Sequence, residues 1–179
     1  TNLGSTRTAA APPADPGHAV NTLNSIFWTW SAAGNPPGTE FRSLDESGDS
    51  GWVANATSWA SGSKAANTLY TLQVRVRDAD GREPPAVSTG AYASIETPSG
   101  VDFQSIGASS ITARALGPFA NLTAGFSGIR LSNETAGTDS GFVQVELWSS
   151  VGLSSNTLYG FRARARNGDA DITPQSAVV

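Results

Sequence analysis

Residues able to carry out acid–base or nucleophilic chemistry are few and scattered along this chain. There is one histidine, His18, and there is no cysteine. A Ser-His-Asp arrangement would depend entirely on His18, which lies in a segment rich in proline and glycine, and no nucleophile-elbow sequence is present. The absence of cysteine excludes a thiol nucleophile, a disulfide framework and cysteine-ligated zinc. We therefore expect no catalytic residue, no cofactor and no enzymatic activity.

Two short acidic segments are similar to the start of a calcium-binding loop. They are Asp78-Ala79-Asp80-Gly81 and Asp169-Ala170-Asp171. A calcium loop needs several oxygens that converge on one ion, including a downstream bidentate glutamate, and neither segment has that glutamate at the required spacing. Both segments follow an alternating strand pattern, where Asp-Gly and Asn-Gly sequences favour tight turns. We therefore predict turns at both places and no metal site.

Arginines alternate with apolar residues in two segments, 70–77 and 159–166. In a β-strand this pattern places Leu72, Val74 and Val76 on the inner face and the arginines on the outer face. Outward charges that prevent edge aggregation are one interpretation. The other is an arginine ladder that pairs with acidic loops of a neighbouring domain or with anionic glycans, so glycans are a candidate partner.

Three sites match the pattern for N-glycosylation. They begin at Asn55, Asn121 and Asn133, each followed two residues later by threonine. They become relevant only where the source organism has the glycosylation machinery.

An internal repeat organises the whole chain. The segment Asn67-Thr68-Leu69-Tyr70 recurs 89 residues later as Asn156-Thr157-Leu158-Tyr159, and each copy leads into one of the arginine-bearing segments. That spacing is about the length of one small β-sandwich domain. The 19 glycines and 10 prolines among 179 residues favour short strands joined by turns. The chain is therefore predicted to be a tandem duplication of an all-β domain.

The pattern along the first repeat predicts its core. After a loop over residues 12–24, Ile26, Trp28 and Trp30 alternate on one face of a strand and are predicted to point inward. The predicted organisation is a leading strand at 1–11, a first domain at 12–97 and a second domain at 98–179.

These features together resemble the fibronectin type III superfamily. Three features carry the resemblance, which runs along the chain twice. They are an early strand that opens Ser25-Ile26 and contains Trp30, the Asn-Thr-Leu-Tyr segment that ends at Tyr70 or Tyr159, and the arginine-rich strand that follows that segment. Two positions depart from the family pattern, since Ala115 replaces the early tryptophan in the second repeat and Lys64 replaces an expected leucine in the first.

The resemblance implies two tandem fibronectin type III-like, immunoglobulin-like β-sandwiches. It implies that Tyr70 and Tyr159 occupy the tyrosine-corner position, where the hydroxyl bonds a backbone group, and that Trp30 is a core residue. It further implies a binding or spacer module without fixed chemistry. The absence of cysteine does not place the protein inside the cell, because many secreted bacterial β-domains lack cysteine, and the resemblance is to a bacterial-type secreted or surface protein.

The two ends of the chain suggest a hypothesis about assembly. The second repeat stops at Val178 and Val179, before most of its expected last strand, whereas residues 1–11 look like an additional strand. We predict that this leading strand adds to the open edge near Val178 and Val179 of a neighbouring chain, a head-to-tail contact that builds a filament. The residues predicted to take part in the leading strand are Leu3, Ser5, Arg7 and Ala9. The alternatives are a fragment of a longer array of repeats and a self-sufficient two-domain protein.

The net charge and the hydropathy of the chain limit the classes of partner that we expect. The net charge of −4 gives no electrostatic reason to expect nucleic acid binding. No run approaches the roughly 18 apolar residues that span a bilayer, so we expect no membrane insertion. The predicted function is a non-catalytic extracellular structural module of a surface array, stalk or filament, partnered by copies of itself or neighbouring repeats of a longer chain. The alternative is a carbohydrate- or partner-binding accessory region of a larger secreted enzyme.

Overall fold

A computed structural model describes residues 6–179, and these residues form thirteen β-strands and no helix. The all-β fold class is confirmed. No described segment is a helix long and apolar enough to cross a membrane. The chain divides into two compact units: unit 1 comprises Leu69–Ala91 and the described part of Thr1–Lys64, and unit 2 comprises Ala65–Thr68 and Tyr92–Val179. The boundary between residues 97 and 98 stays a prediction.

Unit 1 is a sandwich of two antiparallel sheets. One sheet has the strand order β1-β2-β5 and the other has the order β4-β3-β6-β7. The strands are β1 (Ala14–Asn21), β2 (Ile26–Ser31), β3 (Glu40–Asp45), β4 (Gly48–Ala54), β5 (Ser58–Ser61), β6 (Leu69–Arg77) and β7 (Val87–Tyr92).

The core of unit 1 follows the alternation predicted from the sequence. On β2, Ile26, Trp28 and Trp30 are buried, and on β6 the three inward-facing residues Leu72, Val74 and Val76 are fully buried. The Trp30 ring lies 6.4 Å from that of Phe41 on the opposite sheet. Period-two alternation has this effect because successive side chains of a strand point to opposite faces of its sheet.

Strand β1 corrects the prediction of a loop over residues 12–24. Its pairing with β2 is interrupted by two register shifts, and Asp15 has a φ of 50°. Pro16 cannot donate to a ladder of hydrogen bonds, which is tolerated at the edge of a sheet and at bulges. The proline and glycine that suggested a loop are thus features of an irregular edge strand.

Unit 2 repeats this design with two three-stranded antiparallel sheets. Their strand orders are β12-β9-β8 and β11-β10-β13. The strands are β8 (Gly100–Ile106), β9 (Ser110–Leu116), β10 (Gly128–Asn133), β11 (Thr138–Asp139), β12 (Leu147–Val151) and β13 (Phe161–Arg166).

The core of unit 2 contains alanines where β2 of unit 1 has tryptophans. Ala113 and Ala115 are buried on β9, and Phe161 is buried at the start of β13. Phe103 and Trp148 contact the Phe161 ring edge-to-face at centroid distances of 5.4 and 6.3 Å. Aromatic rings from other strands therefore fill the space that the small alanines leave.

The edge of β13 is occupied by the end of the same chain. Phe161 and Val179 exchange two backbone hydrogen bonds of 2.9 and 3.0 Å. Ser176 N donates to the Ala163 carbonyl at 2.8 Å, and Thr173 N donates to that of Ala165 at 2.9 Å. Residues 173–179 therefore line the edge of β13 without forming a strand of their own, and the prediction that unit 2 lacks most of its last strand stays a prediction.

The predicted leading strand is also corrected. Residues 6–13 form no strand. The Arg7 carbonyl accepts a hydrogen bond of 2.8 Å from Arg82, while the backbone N–H and carbonyl of Ala11 both bond the Asn35 side chain. All four residues belong to unit 1, so this segment is held by its own domain. Of the predicted donor residues, Arg7 and Ala9 lie in this segment, and Leu3 and Ser5 lie outside the described residues.

Candidate functional site

His18 lies on β1, within an irregular part of the strand. Its Nδ1 is 3.0 Å from Nδ2 of Asn21. Residues 6–179 contain no cluster of three or more histidine, aspartate or glutamate side chains that could hold a metal ion. The residues with the clearest specific geometry are instead arginines, carboxylates and the only lysine.

Both acidic segments form turns of the same kind. The Asp78 carboxylate accepts backbone hydrogen bonds from Asp80 and Arg82, each 2.9 Å long. In unit 2 the Asn167 side-chain oxygen accepts from Asp169 N and Asp171 N at 3.1 and 2.8 Å. The hydrogen bond from the Arg82 backbone is the main cause that lowers the Asp78 pKa. These side chains therefore stabilise the local backbone, as the turn interpretation predicts.

The first arginine face, defined as Arg42, Arg75 and Arg77, lies on β3 and β6 of unit 1. Each arginine has a carboxylate partner. Arg42 forms an ion pair with Asp49. Arg75 Nη1 lies 3.9 Å from Glu83 Oε2, and Arg77 Nε lies 2.5 Å from Glu40 Oε2. The hydrogen bond from Arg42 lowers the pKa of Asp49 to about 2. The charges on this face are balanced by acids of the same unit.

The second arginine face, defined as Arg130, Arg162, Arg164 and Arg166, lies on β10 and β13 of unit 2. Arg130 pairs with Asp139. Arg162 Nη1 donates a hydrogen bond of 3.3 Å to the side-chain oxygen of Gln175. The Arg164 and Arg166 guanidinium groups stack on the Phe142 ring, at 5.5 and 4.6 Å from its centroid. Within the described residues, Arg162, Arg164 and Arg166 form no ion pair with a carboxylate.

Two tryptophans bear on carbohydrate binding by stacking. Trp52 on β4 is half-buried, and the Arg77 guanidinium covers its ring at 4.5 Å. Trp59 on β5 is also half-buried, and a Cβ on Gly48 would lie 3.5 Å from its ring. Neither ring forms the exposed platform that sugar stacking requires.

Lys64, the only lysine, is buried in unit 1. Its ammonium group lies 2.5 Å from Asp45 Oδ2, and both side chains are fully inaccessible. The same ammonium group contacts the Ser47 hydroxyl and lies 4.2 Å above the Tyr70 ring, and Trp28 Nε1 donates to Asp45 at 3.0 Å. A buried charge is tolerated when it is paired and hydrogen-bonded in this way.

The neighbours of Asp45 determine its titration. Burial by itself raises the pKa of this carboxyl group, but the hydrogen bond from Lys64 opposes burial, assisted by Ser61, Ser47 and Trp28. Together these hydrogen bonds hold the Asp45 pKa at about 2, below its ordinary value. The carboxylate therefore remains ionised in the folded protein at neutral pH.

Unit 2 builds the corresponding place from neutral residues. Asn133, at the end of β10, is 1% exposed and donates to the Ser150 hydroxyl at 3.1 Å. Leu153 stands where the first repeat has Lys64. Sequence reasoning missed the Lys64–Asp45 pair, although a lone lysine at a position occupied by leucine in the other repeat was the available signal.

Tyr70 and Tyr159 lie at matching positions of the two repeats. The Tyr159 hydroxyl accepts a hydrogen bond of 2.8 Å from the backbone N–H of Ser154. This is the backbone bond that a tyrosine corner requires. In unit 1 the Lys64 ammonium group lies 4.2 Å from the centroid of the Tyr70 ring.

Tyr159→Phe is expected to lower the free energy of unfolding by about 1 kcal/mol, because the Ser154 N–H loses its acceptor. Urea titration followed by tryptophan fluorescence measures this change, since Trp148 is the only tryptophan beyond residue 59. Tyr70→Phe serves as the parallel variant. Unchanged stability at both positions would contradict the tyrosine-corner interpretation.

The three sequons differ in accessibility. Asn55 is exposed, and its side-chain oxygen accepts from Gly38 N at 2.7 Å. Asn121 is exposed, but its amide nitrogen donates to the Thr68 hydroxyl at 2.7 Å. Asn133 is 1% exposed and its amide donates to Ser150, so it is the least accessible of the three, and glycosylation there stays a prediction.

Comparison with known proteins gives likenesses of structure and none of sequence family. No protein-family model and no curated protein sequence matches the chain. A two-domain fibronectin type III segment from chicken tenascin is 14% identical, with a TM-score of 0.45 over 93% of this chain and 95% of its own. The FN1–FN3 domains of chicken CNTN1 are 16% identical, with a TM-score of 0.44 over 96% of this chain.

The chain spans 66% of the CNTN1 structure. A computationally redesigned β-sandwich protein is 21% identical and covers 47% of this chain and 95% of its own, with a TM-score of 0.38. Both units are β-sandwiches of two antiparallel sheets, and the tenascin and CNTN1 structures with a similar fold consist of fibronectin type III domains. These likenesses concern the fold alone, and the bacterial-type origin stays a prediction.

Proposed function

We propose that this protein is a non-catalytic extracellular structural module that assembles with copies of itself or with neighbouring repeats in a surface array, stalk or filament. The observation that carries the proposal is the edge strand β12 of unit 2. It pairs with β9 on one side, and its other side carries no strand among the described residues.

Strand β12 is a free edge with exposed apolar side chains. Leu147 is 49% exposed and Val151 is 71% exposed, and Val145 just before the strand is 56% exposed. The strand contains no lysine, arginine or proline. Natural proteins place such residues on free edges to prevent pairing with other chains, so an apolar edge without them favours strand addition by a partner.

Strand complementation through residues 1–11 is not part of this proposal. The backbone groups of Arg7 and Ala11 already bond partners in unit 1. The edge of β13, where a donor strand was expected, is lined by residues 173–179. A partner strand can pair with β12 while residues 6–13 and residues 173–179 both keep their hydrogen bonds.

Sedimentation velocity over a concentration series tests the assembly. The natural chain is expected to form larger species as concentration rises, and Leu147→Lys is expected to remain monomeric, because a charge on an edge strand opposes pairing. The matched control is Ala60→Lys on β5, the corresponding edge strand of unit 1, which is expected to assemble like the natural chain. A chain that stays monomeric at every concentration would refute the proposal.

The second candidate function is a partner- or carbohydrate-binding accessory region. The covered Trp52 and the half-buried Trp59 do not favour it. The second arginine face does favour a binding role, because three of its four arginines form no ion pair with a carboxylate among the described residues.

A further inference from the structure

We infer that the second arginine face binds an anionic polysaccharide through its sulfate or carboxylate groups. This inference goes beyond the structural role and does not depend on assembly through β12. It begins with a difference between the two repeats: the first arginine face has three arginines and three carboxylate partners, whereas the second has four arginines and one.

The strand register shows where unit 2 lacks a carboxylate that unit 1 has. In unit 1, Glu40 lies directly opposite Arg77, whereas in unit 2 the position opposite Arg166 is Gly128. A Cβ on Gly128 would lie 3.1 Å from the Val143 carbonyl oxygen, so the adjacent backbone leaves little room for an acidic side chain. Arg166 therefore has no carboxylate opposite it on β10, and the adjacent backbone disfavours a larger residue in place of Gly128.

The same register adds a positive charge. Gln73 lies opposite Leu44 in unit 1, and the corresponding position opposite Ser132 in unit 2 is Arg162. Arg162, Arg164 and Arg166 thus follow one another on the outer face of β13. Alternate residues of a strand are spaced about 6.6–6.8 Å apart. Three guanidinium groups in a row can engage successive anionic groups of an extended polymer.

The orientation of these arginines is already restricted. Arg164 and Arg166 stack on Phe142, and Arg162 contacts Gln175. The Nε atoms of Arg162, Arg164 and Arg166 are buried and have no hydrogen-bond partner among the described residues. Binding must use the terminal nitrogens, which form a planar fork suited to oxyanions. Because the side chains are held in place, less conformational entropy is lost when a ligand binds.

The surroundings favour a polysaccharide over a protein partner. A protein partner usually buries an apolar centre, but Phe142, the aromatic ring of this face, is already stacked against arginine. A glycan with regularly spaced anionic groups can bind through charge-assisted hydrogen bonds with little apolar burial.

Calorimetric titration with defined oligosaccharides tests the inference. A heparin octasaccharide presents sulfate groups, an oligogalacturonate presents carboxylates alone, and dextran is the neutral control. At low salt we expect one or both acidic glycans to bind and dextran not to bind, with affinity falling as sodium chloride is added. Heparin and oligogalacturonate compared in parallel show which anionic group is preferred.

Two triple variants with the same change in net charge distinguish binding at the second arginine face from a general effect of net charge. R162Q/R164Q/R166Q is expected to weaken binding by about a hundredfold, since three charge-assisted contacts are lost. R42Q/R75Q/R77Q, on the first arginine face, is expected to change it by less than about threefold, because those arginines already have carboxylate partners. If the triple variant fails to fold, R162Q alone is the test. It removes a guanidinium outside the Phe142 stack and is expected to weaken binding about fivefold.

Three results would overturn the inference. One is the absence of binding by either acidic glycan at low salt. Another is an equal loss of binding in both triple variants, which would assign the effect to net charge. The third is tighter binding of polyglutamate or single-stranded DNA than of either glycan, which would assign the face to a protein or nucleic acid partner.

Discussion

Asp45→Asn is expected to lower the free energy of unfolding of unit 1 by about 3–5 kcal/mol, because it leaves the Lys64 charge buried without a counter-ion. The side chains of Asp45 and Lys64 are both fully inaccessible, so water cannot replace the lost carboxylate in the folded state. Urea titration followed by tryptophan fluorescence is suited to the measurement, since four of the five tryptophans lie between residues 28 and 59.

The second repeat supplies the matched control. It has Asn133 and Leu153 at the positions of Asp45 and Lys64. Asp45→Asn/Lys64→Leu reproduces that neutral pair in unit 1 and is expected to recover most of the lost stability, since apolar replacement of a buried ion pair is often close to neutral. A double variant as unstable as Asp45→Asn alone would show that the charge is not the cause.

The pH dependence provides an independent readout of the same pair. The Asp45 pKa is about 2 in the folded protein and near its ordinary value in the unfolded chain. A lowered folded-state pKa contributes stability that is fully present above about pH 4 and is lost as the pH falls towards 2. The stability difference between the natural chain and Asp45→Asn should therefore shrink over that range. A constant difference would contradict the ion-pair assignment.

Trp30→Ala is expected to cost about 3–5 kcal/mol, because it removes a large aromatic side chain from a packed core and leaves a cavity beside Phe41. Phe27 on the same strand is 40% exposed, so Phe27→Ala is the matched control and should cost about 1 kcal/mol or less. Thermal and urea unfolding of both variants give the comparison. A smaller loss for Trp30→Ala than for Phe27→Ala would reverse the assignment of the inner face.

A conservative change separates packing from hydrogen bonding at Trp30. Its indole N–H is buried and has no hydrogen-bond partner among the described residues. Trp30→Phe keeps most of the apolar volume and removes that unsatisfied donor, so it should cost clearly less than Trp30→Ala. A Phe variant as unstable as the Ala variant would point to a role for the indole beyond volume.

Local sequence patterns determine much of this fold. The duplication, the inner faces of β2 and β6, and both turns after the arginine-bearing strands could be predicted from residue order alone. Alternation works here because each strand has one face in a core, so burial must repeat every second residue. Turn chemistry works because a side chain at Asp78 or Asn167 bonds backbone only two to four residues away.

Only the tertiary structure decided the features that depend on residues distant in sequence. The burial of Lys64 depends on Asp45, and that of Asn133 depends on Ser150. Arg77 is neutralised by Glu40, whereas Arg166 faces Gly128, and no single strand pattern contains that difference. The path of residues 6–13 depends on Asn35 and Arg82. Charge balance and burial are set by three-dimensional neighbours, because hydrogen bonds and ion pairs act over a few ångströms whatever the separation along the chain.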